Sequence, residues 1–180
     1  MPLNLPGLDV VVFTLPLDGP SARDAFLRLL HSPGETWIAD YGFTERDLVA
    51  EIEAADAAGV PVHLRLDRSQ AAGHTESVVL AELAPSLKHG DLTVTTAGPD
   101  STSPSQIMHS KVLVTRDPDG GEDYCWVGSV NFSESGWLQA NVAFLFRSNA
   151  WARQVFVPWF ERTQKWAYDH VPQPSRGAGR

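Results

Sequence analysis

His109 and Lys111 stand two residues apart in Ile107-Met108-His109-Ser110-Lys111-Val112-Leu113-Val114-Thr115, a run with the make-up of a β-strand. Side chains alternate between the faces of a strand, so positions i and i+2 share one. The spacing sets an imidazole beside a fixed cation. Ser129 and Asn131 repeat it in Val127-Gly128-Ser129-Val130-Asn131-Phe132-Ser133. They add polar groups able to hold an oxyanion, and Gly128 permits a tight backbone approach. Displacement at a phosphodiester needs this set: a group to attack phosphorus, and donors for charge on the non-bridging oxygens.

His-x-Lys alone is a weak signal. His-x-Lys in a hydrophobic strand, with Gly-Ser-x-Asn a hairpin later, is specific. Together these segments resemble the signature of the phospholipase D superfamily. Three further stretches look like that family's β-α-β unit ahead of the motif: Ala39 to Thr44, Gly59 to Val62, and Leu66 to Gln70. The resemblance implies that His109 attacks phosphorus and forms a covalent phosphohistidine, that Lys111 binds a phosphate oxygen, and that Ser129 and Asn131 are phosphate-side donors. It implies no cofactor and no metal, because lysine and amides do the charge work. It also sharpens the fold, from an alternating α/β chain to a mixed β-sheet flanked by helices on both faces.

One motif supplies half a site in this family, where a second histidine protonates the leaving oxygen. The chain carries one copy and no internal repeat. The resemblance therefore implies a homodimer with a composite site, two His109 residues facing across a two-fold axis. The form resembles small bacterial nucleases that cut DNA or RNA without a metal, so hydrolysis of nucleic-acid phosphodiesters is the expected function. Cleavage of phospholipid headgroups is one alternative. A degenerate module that holds phosphate or a partner without turnover is another.

Two departures from the family pattern stand out. The usual Asp lies five residues after the lysine, where this chain has Arg116; Asp117 comes one later. Strand parity puts that position on the face opposite His109 and Lys111, so its role is structural, and a one-residue bulge would bring Asp117 into register. Many relatives also carry a Glu in the strand after Gly-Ser-x-Asn, to orient the histidine. Here the stretch is Leu138-Gln139-Ala140-Asn141, in which Gln139 or Asn141 would accept instead; Glu134 is a further candidate. Arg68 follows Asp67 at the C-terminal end of a strand, where α/β proteins place ligands, and is a candidate phosphate contact. Asp67 would fix the loop. Trp126 and Trp137 flank the motifs, with core packing the expected role.

Around these residues the chain reads as alternating strands and helices. Strands are expected over 9–14, 36–41, 60–66, 92–96, 107–115, 124–129 and 141–146. A helix opens at Pro20-Ser21, a second follows a capping box at Thr44 and Asp47 and stops at Gly59, and a third covers 74–83. Asn149 is expected to cap a closing helix to about His170, interrupted at Pro158. With 180 residues, a single domain over 1–171 and a disordered tail over 172–180 are expected. A net charge of −8 argues against a protein that coats nucleic acid nonspecifically, though not against a local basic cleft. The single cysteine, Cys125, allows no internal disulfide. The first residues lack a secretory pattern and no stretch reaches a membrane span, so a cytoplasmic protein is expected.

Overall fold

The structure is a computed structural model and describes residues 3–5, 9–32, 34–71, 73–95 and 107–163. Eight strands make one mixed sheet: β1 (Leu3–Leu5), β2 (Val10–Thr14), β3 (Glu35–Asp40), β4 (Val62–Asp67), β5 (Asp91–Thr95), β6 (Lys111–Arg116), β7 (Tyr124–Gly128) and β8 (Val142–Arg147). Their order is β1-β2-β8-β7-β6-β3-β4-β5. β3, β4 and β5 run parallel, joined by helices, and every other pairing is antiparallel.

Period-two burial divides the side chains between two cores. Ile38, Leu64, Leu66, Leu113 and Trp126 lie with the helices α1 (Gly19–Leu30), α2 (Arg46–Ala57) and α4 (His74–Leu83). Their neighbours Trp37, Ala39, Val112, Val114 and Cys125 face the other way. There they meet Ala152, Phe156, Val157 and Phe160 of the closing helix, which runs from α5 (Asn149–Trp151) through a π turn (Ala152–Phe156) into α6 (Val157–Thr163). The sheet is thus covered by helices on both faces. The widened turn immediately precedes Pro158, whose missing N–H could not continue a regular ladder.

Several expected boundaries move because a backbone N–H finds a different partner. The strand expected from Ile107 begins at Lys111, since Met108 gives its N–H to the buried Asp67 carboxylate at 2.5 Å. The capping box at Thr44 does not form. Glu45 is the N-cap of α2, and Thr44 and Glu45 both donate their N–H groups to the Phe132 carbonyl, at 3.0 and 3.2 Å. Asp47 instead pairs with Arg23 at 2.6 Å. Ser148, not Asn149, caps the closing helix, accepting the Trp151 N–H. Asn149 accepts the N–H of Asp123 at 2.8 Å and steadies the β6–β7 tip. The short α3 (Arg68–Ala71), β1 and a 3-10 turn (Gly136–Leu138) are additions. The closing helix beyond Thr163 and the expected tail lie outside the described residues.

At the sheet end away from the motif residues, His63 bridges Asp91 and Glu35 through its two ring nitrogens, the Glu35 contact being 2.9 Å, and stacks on Trp37. Burial pulls the imidazole pKa down, but Asp91 and then Glu35 outweigh it and hold the value above the ordinary one. A raised folded-state pKa gives stability that is full below the unfolded value and is lost as pH rises through the folded one. His63→Gln should therefore destabilise the protein by about 1 kcal/mol at pH 6 and by less above pH 8. Urea denaturation at both pH values checks this; an equal difference at each would show that His63 acts by packing alone.

Candidate active site

The motif residues gather where β3 and β4 end and β6 begins. Lys111 is the first residue of β6 and stands directly opposite Asp40, the last of β3. It is 4% exposed. Its Nζ donates to the His109 carbonyl at 3.2 Å and lies 4.8 Å from the centre of the Tyr41 ring. Burial lowers the ammonium pKa, and the charges of Asp40 and then Asp67 oppose that. His109 stands just before the strand with its side chain exposed, its ring 4.6 Å from that of Tyr41 at a tilt of 56°. The arrangement is an accessible imidazole with a cation fixed behind it.

Two buried carboxyl groups, Asp40 and Asp67, act on that cation, and a third, Glu76, acts on both of them. Asp40 Oδ2 accepts the Phe132 N–H at 3.1 Å. Burial raises the Asp40 pKa to about 7, against the N–H of Phe132, the charge of Lys111 and the N–H groups of Tyr41 and Gly42. Glu76 of α4 is raised to about 8 by burial and then by Asp40, with Asp67 adding to the effect and the Phe43 N–H opposing it. Asp67 is fully hydrogen-bonded: Oδ1 accepts from Ser69 N and Oγ at 2.8 and 2.5 Å, and Oδ2 accepts from Met108 N. Asp40 Oδ1 and Glu76 Oε1 are buried without a hydrogen-bond partner among the described residues. Burial thus favours the neutral forms of Asp40 and Glu76 and limits the negative charge gathered beside one lysine.

The second motif joins the same place through the loop contacts of Phe132 with Asp40, Thr44 and Glu45. A Cβ on Gly42 would come within 3.3 Å of Asn131 Cγ, so the two loops touch. Asn131 Oδ1 is buried and has no hydrogen-bond partner among the described residues. Ser129 Oγ donates to Asn141 Oδ1 at 2.9 Å and accepts from Val142 N at 3.1 Å. Asn141 Nδ2 donates to the Gly136 carbonyl at 2.9 Å. Both ends of the Asn141 amide are thus engaged within its own turn. Gln139 is exposed. Glu134 lines a separate cavity with Arg23, Glu45 and Trp137. None of Gln139, Asn141 and Glu134 bonds the His109 ring. The tight approach at Gly128 is to β8: a Cβ there would lie 2.5 Å from the Val142 carbonyl.

Asp117 is a correction. The β6 register with β3 is unbroken from Lys111 to Arg116, so no bulge brings Asp117 round. It lies past the far end of the strand, about 20 Å from Lys111 at the usual rise. There it accepts the Asp119 N–H and donates its own to Asp123. Arg116 faces the second core, its guanidinium 5.2 Å from the Trp37 ring centre and 3.9 Å from Glu35. Arg68 opens α3 directly after Asp67 and is half-buried. Trp126 is fully buried and Trp137 gives its indole N–H to Glu45, so both belong to the α1-side core. Sequence reasoning gave Asp40, Tyr41 and Glu76 no role. Asp40 had one visible signal, an acid closing a buried apolar strand. Glu76 had none.

Comparison with known proteins matches this description. A family profile described as "Cardiolipin synthase, PLD-like domain" matches residues 27–163. No curated protein matches the sequence. Among solved structures the chain is similar to Nuc from Salmonella typhimurium, a phospholipase D family member, at 21% identity and a TM-score of 0.73, covering 91% of this chain and 98% of that one. NucT from Helicobacter pylori is 17% identical with a TM-score of 0.72, over 88% and 96%. Phosphatidylserine synthase from Haemophilus influenzae is 14% identical with a TM-score of 0.64; 95% of this chain is covered but 42% of that one. With the profile spanning most of its length, and a mixed sheet that brings His109 and Lys111 together, this chain belongs to the phospholipase D-like family.

Proposed function

We propose that the protein is a metal-independent phosphodiesterase that acts through a covalent phosphohistidine on His109, with nucleic-acid phosphodiesters as substrate. One observation carries the chemistry: a buried ammonium, Lys111, fixed at the backbone of an accessible imidazole. The imidazole attacks phosphorus, the leaving alkoxide takes a proton, and water then cleaves the phosphorus–nitrogen bond to free the histidine. Lys111 answers the charge on a non-bridging oxygen as a compact point charge. The Asn131 carboxamide, against Gly42 next to Tyr41, would supply a second contact. Ser129 either supports Asn141 and β8 or turns its hydroxyl to phosphate once substrate enters. Arg68, next to the Asp67 anchor, is a candidate contact for the flanking phosphate.

The proton for the leaving group requires a second acid, and the chain has one such motif. We assign it to His109 of a second copy, in a two-fold homodimer. The sheet surface supports this partner: Val142 and Phe144 of β8, just after Asn141, are each 40% exposed. Exposed apolar side chains beside half a site are what an isologous interface needs. Two Lys111 ammoniums facing one cleft would also concentrate positive charge within a chain whose net charge is −8. Nucleic acid is preferred to lipid because the chain corresponds to nearly all of Nuc and NucT, but to 42% of the phosphatidylserine synthase. The profile's description favours a second reading, phospholipid headgroup cleavage. Among the described residues no helix is long and apolar enough to cross a membrane.

The wild type should hydrolyse bis(p-nitrophenyl) phosphate in EDTA, and His109→Ala should lose at least about 10³-fold in kcat. Lys111→Met should lose about 10²- to 10³-fold. Because burial lowers the Lys111 pKa, the alkaline limb of the wild-type profile should begin below the ordinary lysine value of about 10.4. Side-by-side turnover of single-stranded DNA, RNA and phosphatidylcholine vesicles separates the substrates. Binding of a phosphodiester without turnover of any of them would instead mark a degenerate module.

Sedimentation equilibrium should show a dimer, and Phe144→Glu should shift it toward monomer with parallel loss of activity. A fully active monomer would overturn the composite site.

A further inference from the structure

Tyr41 touches both side chains that the proposed chemistry uses, yet it lies in neither motif. The His109 ring sits 4.6 Å from its ring, and the Lys111 ammonium 4.8 Å from its centre. Its backbone N–H donates to the Ser110 carbonyl at 3.0 Å, between the two. Its hydroxyl accepts from Gln70 Nε2 at 2.8 Å. Gln70 belongs to α3, whose first turn is pinned by the bonds of Ser69 to Asp67. The other oxygen of the same carboxylate holds the N–H of Met108, one residue before His109. One buried carboxylate thus sets the ring from one side and the backbone of the histidine from the other.

The ring has chemistry to do as well as shape. No hydrogen bond fixes the His109 imidazole among the described residues, so its rotamer is held by contact with a neighbouring surface. The face of a tyrosine attracts cations within about 6 Å. It therefore favours the ammonium of Lys111 and receives the positive charge that builds on an imidazole as its nitrogen bonds to phosphorus. We propose that Tyr41 is a positioning residue for His109 and Lys111 together, with Gln70 setting its ring. The proposal rests on the phosphohistidine reading for its kinetic part only, since the contact itself exists without substrate.

The test follows the His109 Cε1–H resonance, identified by its absence in His109→Ala, beside steady-state kinetics on bis(p-nitrophenyl) phosphate. Tyr41→Leu should remove the ring-current displacement of that resonance and lower kcat by about 10- to 100-fold, with KM changed by less than about threefold. Tyr41→Phe, which keeps the ring, should retain the displacement and most of kcat. Gln70→Ala leaves the ring in place but unfastened, and should move the resonance and lower kcat by about three- to tenfold. If Tyr41→Leu fails to fold, the Gln70→Ala and Tyr41→Phe pair decides. A His109 resonance and kcat unchanged in folded Tyr41→Leu, or in Gln70→Ala where that is the only folded variant, would overturn the assignment. Should the wild type turn over no phosphodiester, the functional reading fails, and the resonance alone decides whether Tyr41 positions the imidazole.

Discussion

A lysine ammonium buried at the end of a sheet must be compensated, and much of the surrounding structure follows from that requirement. Lys111 is only 4% exposed, so water alone does little to stabilise its charge. Asp40 faces it across the β3–β6 ladder, and Asp67 closes the neighbouring strand. Both acids sit at strand ends, where the backbone leaves the sheet and offers unpaired N–H groups. Asp40 draws in the N–H of Phe132, and Asp67 those of Met108 and Ser69. The charges that compensate the lysine therefore also tie down the loops that carry the polar groups of the site. Glu76 adds a third acid from α4, and burial favours its neutral form as it does that of Asp40.

Loop tethering explains how a second motif nearly twenty residues along the chain becomes part of one site. Phe132 is the junction. Its side chain is buried among Phe26 and Trp137, its N–H is held by Asp40, and its carbonyl takes the N–H groups of Thr44 and Glu45. The residue before it, Asn131, is pressed against Gly42 at a spacing that a larger residue at 42 would disturb. Hydrophobic packing on the α1 side thus fixes the position of the Asn131 side chain beside Gly42. Ser129 and Asn141 do the same for the start of β8, by exchanging side-chain bonds across the turn.

Much of this was legible in the sequence, and the remainder was hidden for identifiable reasons. Buried apolar runs announced the central strands, and helix α4 occupies His74–Leu83, the span expected of it. The two motifs, and their convergence on one chemistry, came from residue type and spacing. What spacing could not reveal was where the ladder begins. The Met108 N–H goes to Asp67, forty-one residues earlier in the chain, so a strand that looked continuous from Ile107 starts four residues later. Local capping rules failed at Thr44 for the same reason, because the Thr44 N–H that Asp47 would have taken goes to the Phe132 carbonyl. Asp67 to Ser69 was readable in principle, as an Asx turn announcing α3. Nothing in Thr75-Glu76-Ser77 distinguishes a buried acid from an exposed one.

The two departures from the family pattern carry different weights. Arg116 sits five residues along β6 from Lys111 and on the opposite face, where it stacks on Trp37 beneath the closing helix. A group there reaches the histidine only through the rigidity of the sheet, so an arginine held by Trp37 and Glu35 can serve as an aspartate would. The absent glutamate bears on the site itself. Asn141 spends its carbonyl oxygen on Ser129 and its amide on Gly136, and among the described residues none accepts from the imidazole. An imidazole without a fixed acceptor keeps both tautomers and more than one rotamer. The function proposed for His109 therefore depends on a contact surface instead of a hydrogen bond. In this chain that surface is the ring of Tyr41, placed by the same buried acid that sets the backbone ahead of the histidine.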